Sequence, residues 1–292
     1  MNIIDLIGNT PLVEITHLSP KKDVKIFAKL EGHNPGGSVK DRAALGMISG
    51  ALKRGDIAKG DRLVEATSGN TGIALAMIAQ LKELHMTLIM TDGATQERID
   101  TMRAFGAEVI LTPQEKTIEY CRELAEKMSE EDGYHMLNQF ANPDNYTMHY
   151  NTTGPEIWRD TNGKVTHFVS AMGTTGTIMG VSRYLKEKNS NVKIIGTQPE
   201  DGSRIPGIRR WSPEFLPKIF EPERVDRIID VNQESAKMMA KELAKKEAIF
   251  AGMSSGGAAS AAIRLAHELE EGLIVFIACD RGDRYLSSDL FS

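Results

Sequence analysis

Cysteine is scarce, with only Cys121 and Cys279 in 292 residues. That excludes a disulfide scaffold, and a chain of this length buries a core without covalent staples. Long apolar runs are also lacking: none exceeds Leu273 to Cys279 in length, well short of the ~18 residues a membrane span requires. Asp5 stands where a signal peptide would be apolar, so the sequence predicts a soluble, unprocessed cytoplasmic protein with both thiols free. No surplus of positive charge exists. Against 35 Lys and Arg stand 40 Asp and Glu, a net charge of −5, which argues against a nucleic-acid binder and leaves small molecules as the expected partners. Glycine (26) and proline (11) are at ordinary levels, which excludes collagen-like and disordered chains.

What the sequence does contain is an alternation of short β-branched runs with longer helical patterns, the signature of parallel strands joined by crossover helices. The fold class is α/β. Strands are expected at Ile26 to Leu30, Leu63 to Glu65, Met86 to Met90, Glu108 to Leu111, Phe168 to Ser170, Lys193 to Thr197 and Ile274 to Ile277. Helices are expected at Arg42 to Arg54, Thr71 to Lys82, Gln96 to Phe105, Ile118 to Ser129, Gly176 to Lys188, Glu234 to Glu247 and Gly256 to Leu269, with Gly55, Gly106 and Gly133 as stops. No Pro/Ser-rich or charged linker divides the chain.

Three loops rich in glycine and hydroxyls fall where strands give way to helices, the position from which open α/β sheets present ligands. Thr67 to Gly72 (TSGNTG) exposes backbone N–H groups and hydroxyls suited to a carboxylate or phosphate, though the same residues serve equally as an ordinary helix cap. Gly173 to Thr177 (GTTGT) has nothing to fill a core and suits a phosphate. With neither a dinucleotide fingerprint nor a Walker loop present, that phosphate belongs to a smaller molecule. Gly252 to Gly257 (GMSSGG) matches the G-x-S-x-G elbow of serine hydrolases, but the only later histidine is His267 and no acid precedes it suitably.

Lys40 is the singular residue. In NPGGSVKDR, Asn34 to Arg42, it stands between a Pro-Gly-Gly turn and a helix start. Most lysines are solvated surface charges. Here a helix N-terminus and Arg42 favour the neutral amine, the form that attacks a carbonyl and can hold an aldehyde cofactor.

NPGGSVKDR, ATSGNTGIALA, MGTTGT and GMSSGG, in this order and spacing, together with IGNTPLV and NQFANPDN, resemble the cysteine synthase family of fold-type II pyridoxal-phosphate enzymes. The likeness runs from about Ile7 to Leu286. It implies two domains with open, twisted, mostly parallel sheets flanked by helices: residues 1–34 and 146–292 forming a large cofactor-binding domain, and 35–145 a smaller mobile substrate domain that shuts on the substrate carboxylate. It also implies roles. Lys40 binds the pyridoxal 5′-phosphate aldehyde covalently and moves the substrate's α-proton, Asn70 meets the ring oxygen, Gly173, Thr174, Thr175, Gly176 and Thr177 hold the phosphate, and Ser254 meets the pyridine nitrogen. Thr67, Ser68, Thr71 and Gln139 grip the α-carboxylate, and no metal takes part.

The implied activity is that of a transferase: β-replacement on O-acetylserine by a sulfur nucleophile through an aminoacrylate, with ping-pong kinetics. Gly202 to Trp211 (GSRIPGIRRW) and CDRGDRYLS resemble the B-type branch. Arg209 and Arg210 are therefore expected to admit thiosulfate beside sulfide, a surface ion pair being the plainer alternative. The branch implies a homodimer that does not bind serine acetyltransferase. The rival readings are a cystathionine β-synthase-like replacement, a hydrolase using Ser254, and a catalytically dead cofactor binder.

Overall fold

The computed structural model describes residues 1–67 and 69–291, with the side chain of Thr117 also outside the description. In chain order the elements are β1 (Leu12–Ile15), β2 (Val24–Leu30), α1 (Lys40–Arg54), β3 (Arg62–Ala66), α2 (Asn70–Leu81), β4 (His85–Thr91), α3 (Gln96–Ala104), β5 (Glu108–Thr112), α4 (Thr117–Glu131), β6 (His135–Met136), α5 (Pro143–Asn151), α6 (Thr153–Asp160), β7 (His167–Ala171), α7 (Gly176–Lys188), β8 (Lys193–Pro199), β9 (Arg227–Val231), α8 (Gln233–Glu247), α9 (Met253–Glu268) and β10 (Gly272–Ala278).

Two sheets result. The larger has strand order β1-β2-β10-β7-β8-β9 and is parallel except for the edge strand β1; the smaller, β5-β4-β3-β6, is wholly parallel. Helices cover both faces, so the inner strands read as nearly unbroken apolar runs. All seven expected strands and all seven expected helices form, with ends shifted by a few residues. Helix α2 is apolar all round, and every residue from Thr71 to Ala79 is buried, as a helix wedged between layers requires. By contrast α4 buries one stripe, Cys121 and Ala125 against Val64, Ala66 and Ile89.

Five elements were not expected from the sequence. β1 is a short edge strand, β6 has two residues, and β9 (RIIDV) has only two buried positions. Each is too short or too polar to show a period before a neighbouring strand pairs with it. Helix α5 carries a readable start, since Asn142 caps it by accepting the Asp144 N–H at 3.0 Å and Pro143 follows at the first position. Helix α6 holds Gly154 and Pro155 in its first turn, which hides it from propensity.

Candidate active site

Where the strands of the two sheets end, the chain encloses a cavity of about 300 Å³. Lys40 opens α1 at its floor, half-buried, and the turn before it is stitched onto the end of β10: Val39 N–H donates to the Cys279 carbonyl at 2.8 Å and Ser38 bridges to Asp280. Arg42 does not act as a free cation beside Lys40, as its sequence position suggested. Its guanidinium turns inward, fully buried, and is matched by the carboxylates of Glu31 and Glu156.

The loop after β7 forms one wall. Thr175, the residue before α7, has φ +69°, a left-handed conformation rare for a β-branched residue, and its buried hydroxyl has no hydrogen-bond partner among the described residues. Glycine is required beside it. A Cβ on Gly176 would lie 2.0 Å from Asn145 Oδ1, and one on Gly173 would lie 2.7 Å from the Gly207 carbonyl. Asn145 Nδ2 donates to Thr174 Oγ1 (3.2 Å), and Thr177 Oγ1 meets His149 Nε2 (3.3 Å). The other nitrogen of that imidazole pairs with Thr153 Oγ1 at 2.8 Å. Burial, with Arg42 nearby, lowers the His149 pKa to about 3, so the ring is neutral at pH 7.

Opposite lies the junction of β3 and α2. Thr71 Oγ1 donates to Gln139 Oε1 at 2.8 Å, and Gly69 N–H approaches Thr67 Oγ1 at 3.4 Å; Thr67, Thr71 and Gln139 all line the cavity and are buried. Ser68 lies outside the described residues. Asn70 Nδ2 donates to Asp280 Oδ2 (2.7 Å), while its oxygen accepts from Arg284. Ser254 sits buried in the first turn of α9 and faces the cavity. The hydrolase reading fails on this helix: His267 is thirteen residues further along α9, roughly 20 Å away at about 1.5 Å per residue.

Arg209 lines the mouth, exposed, with its backbone N–H on the Met172 carbonyl. Arg210, expected beside it, does not line the cavity; it turns away, donating to the Pro199 carbonyl and pairing with Asp230. The two neighbours in this loop take different partners, which the sequence pair could not reveal. Trp211 donates its indole N–H to the Gly173 carbonyl at 2.9 Å and packs edge-on against Phe140.

Several lining residues carried no sequence signal. Arg98 and Arg122 reach the cavity from α3 and α4, where single charges read as solvated helix faces; Arg122 lies over the Phe140 ring at 4.4 Å. Tyr285 donates to Asp280 Oδ2 at 2.6 Å. Burial, then Asp280, pushes the Cys279 thiol up to about 11, so it remains protonated and is no nucleophile.

Residues 3–280 match the family described as pyridoxal-phosphate dependent enzyme, and the chain belongs to that family. It is 57% identical over 289 residues to cysteine synthase B of Pseudomonas aeruginosa, covering 99% of this chain and 97% of the relative. Among solved structures it superposes with TM-score 0.95 on a cysteine synthase (OASS) from Entamoeba histolytica, at 40% identity, covering 99% of this chain and 90% of the other. A second, O-acetyl serine sulfhydrylase isoform 3 of the same organism, gives 0.93 at 38% identity, covering 99% and 91%. The cleft suits the family's cofactor. Gly173, Thr174 and Thr177 line it at the N-terminus of α7, whose first turn has no acidic residue and suits a phosphate dianion, and Lys40 lines the same cavity for an aldehyde; Thr175, whose buried hydroxyl has no partner among the described residues, and Gly176 do not line it.

Proposed function

We propose that this protein is a cysteine synthase, replacing the acetate of O-acetylserine with sulfide, or with thiosulfate, to give cysteine or S-sulfocysteine. The observation that carries the reading is the gathering of Lys40, of Gly173, Thr174 and Thr177 from the loop after β7, and of Thr67, Thr71 and Gln139 around one cavity. When bound, pyridoxal 5′-phosphate supplies an electron sink for the charge left at the substrate's Cα.

Lys40 would hold the cofactor's aldehyde carbon, and its amine would then take the α-proton and later return it. Gly173, Thr174, Thr175, Gly176 and Thr177 would hold the phosphate. Asn70, oriented by Asp280 and Arg284, would direct its remaining N–H to the ring oxygen, and Ser254 would present its hydroxyl to the pyridine nitrogen. A hydroxyl partner, unlike a carboxylate, leaves that nitrogen uncharged, which favours expulsion of a β-substituent over deeper charge delocalisation. Thr67, Ser68, Thr71 and Gln139 would bind the α-carboxylate, and Arg209 the oxyanion of thiosulfate.

Residues 35–145 would form the smaller domain, which contains the carboxylate loop, and residues 1–34 and 146–292 the larger. Closure of the smaller domain on bound substrate would exclude water from the reacting centre. The working unit would be a cytoplasmic homodimer that does not bind serine acetyltransferase.

The test is direct. Purified protein should be yellow, borohydride should fix the pyridoxyl group on Lys40, and O-acetylserine should shift the visible spectrum. A Lys40→Ala protein that still consumes O-acetylserine at the normal rate would overturn the reading.

A further inference from the structure

Glu65 is a carboxylate with no role in the chemistry above, yet it is 4% exposed at the end of β3, two residues before Thr67. A buried carboxylate is costly unless its oxygens are satisfied. Here the main chain supplies a partner. Glu65 Oε2 accepts the Asn138 N–H at 3.2 Å, and the adjacent Gln139 N–H also favours the charged carboxylate. Asn138 is left-handed, φ +53°, so the backbone turns sharply where its N–H meets the carboxylate.

The same turn delivers Gln139 to the cavity. Its carbonyl oxygen accepts from Asn145 Nδ2 (2.8 Å) and its side-chain oxygen takes the Thr71 hydroxyl (2.8 Å). That fixes which way the amide points, leaving Nε2 with no partner among the described residues. The strand pairing that would otherwise hold this segment stops short, since β6 pairs with β3 only at Leu63 and Val64. Beyond Val64, the Glu65 side chain links β3 to the turn.

We propose that Glu65 is a positioning residue for recognition of the substrate's α-carboxylate: by holding the N–H of Asn138 it fixes the turn that presents Gln139 Nε2 beside Thr71. The inference rests on the carboxylate-site reading of Thr67–Thr71 and Gln139. Burial pushes the Glu65 carboxyl up to about 7 against the pull of the Asn138 and Gln139 N–H groups and of the Arg122 guanidinium. A neutral amide in its place should loosen the turn without emptying the space.

Steady-state kinetics of the holoenzyme test this. Glu65→Gln should raise KM for O-acetylserine about tenfold, the loss of a charge-assisted hydrogen bond, with kcat, KM for sulfide and the visible spectrum of the resting enzyme preserved. In a Gln139→Ala background the same change should add less than about twofold, because the group it positions is gone. Glu65→Asp, which keeps the charge but draws it back by one methylene, covers the case of a Gln variant that does not fold and should show the same KM-selective loss. An unchanged KM, or a full additional loss in the Gln139→Ala background, overturns the proposal. A wild-type protein that does not respond to O-acetylserine at all would instead sink the functional reading.

Discussion

Arg42 and Glu156 form a fork-to-fork pair in the interior, Nη1 to Oε1 and Nη2 to Oε2, both at 2.7 Å. On its other edge Arg42 grips Glu31 through Nε (2.7 Å) and Nη2 (2.8 Å), while Lys29 Nζ, also buried, lies 2.7 Å from Glu156 Oε2. The cluster ties β2, α1 and α6 together two residues from Lys40. Burial raises the Glu156 pKa, but the bonds from Arg42 and the nearby Lys29 outweigh it and bring it down to about 2.

Replacing Arg42 by methionine should therefore leave the buried Glu31 without a cationic partner and Glu156 with Lys29 alone, and cost about 3–5 kcal/mol, seen as a lower denaturation midpoint. Lysine at the same position keeps the charge but not the fork, and should recover only part of the loss. A methionine variant as stable as the wild type would show that the cluster stabilises nothing.

His149 makes stability depend on pH. Its folded pKa, near 3, lies below the ordinary value of 6.5, so the unfolded chain takes up the proton first as pH falls. The contribution is complete above about pH 6.5 and is lost as pH falls towards 3. Between pH 6.5 and 4.5 this one site should cost about 2 kcal/mol, at about 1.4 kcal/mol per pH unit. His149→Gln has no ring to charge, and its unfolding free energy should fall correspondingly less over that interval; parallel curves for the two proteins would refute the assignment.

Gly176→Ala should empty the cofactor site. Its new methyl would fall 2.0 Å from Asn145 Oδ1, displacing either Asn145 or the first turn of α7. The purified variant should have lost most of its visible absorbance at a secondary-structure content matching the wild type by circular dichroism.

The two neighbouring arginines should separate cleanly. Arg209→Ala is expected to lower kcat/KM for thiosulfate about tenfold, the loss of one charge-assisted contact, with sulfide little affected. Arg210→Ala removes a partly exposed pair with Asp230 and should change stability by only about 0–1 kcal/mol and neither activity. Equal loss with both sulfur sources on removing Arg209 would defeat the idea.

Much of this protein is written locally. The parallel α/β class, fourteen of the helices and strands, and the three hydroxyl-rich loops follow from apolar runs, helix periods and small residues at strand ends, because those features depend on neighbours within one turn or one strand. Lys40 stood out for the same reason, lying between a tight turn and a helix start. Tertiary structure alone decided which residues meet. It carried Arg98 and Arg122 from helix faces that look solvated into a cavity wall, turned Arg42 inward onto acids 11 and 114 residues away, and gave Arg209 and Arg210 different partners. Glu65 shows the limit most plainly: a lone acid in a strand becomes meaningful only once the turn at Asn138, 73 residues on, is packed against it. Side-chain direction and long-range pairing are fixed by what the rest of the chain leaves room for, and no local window of sequence contains that information.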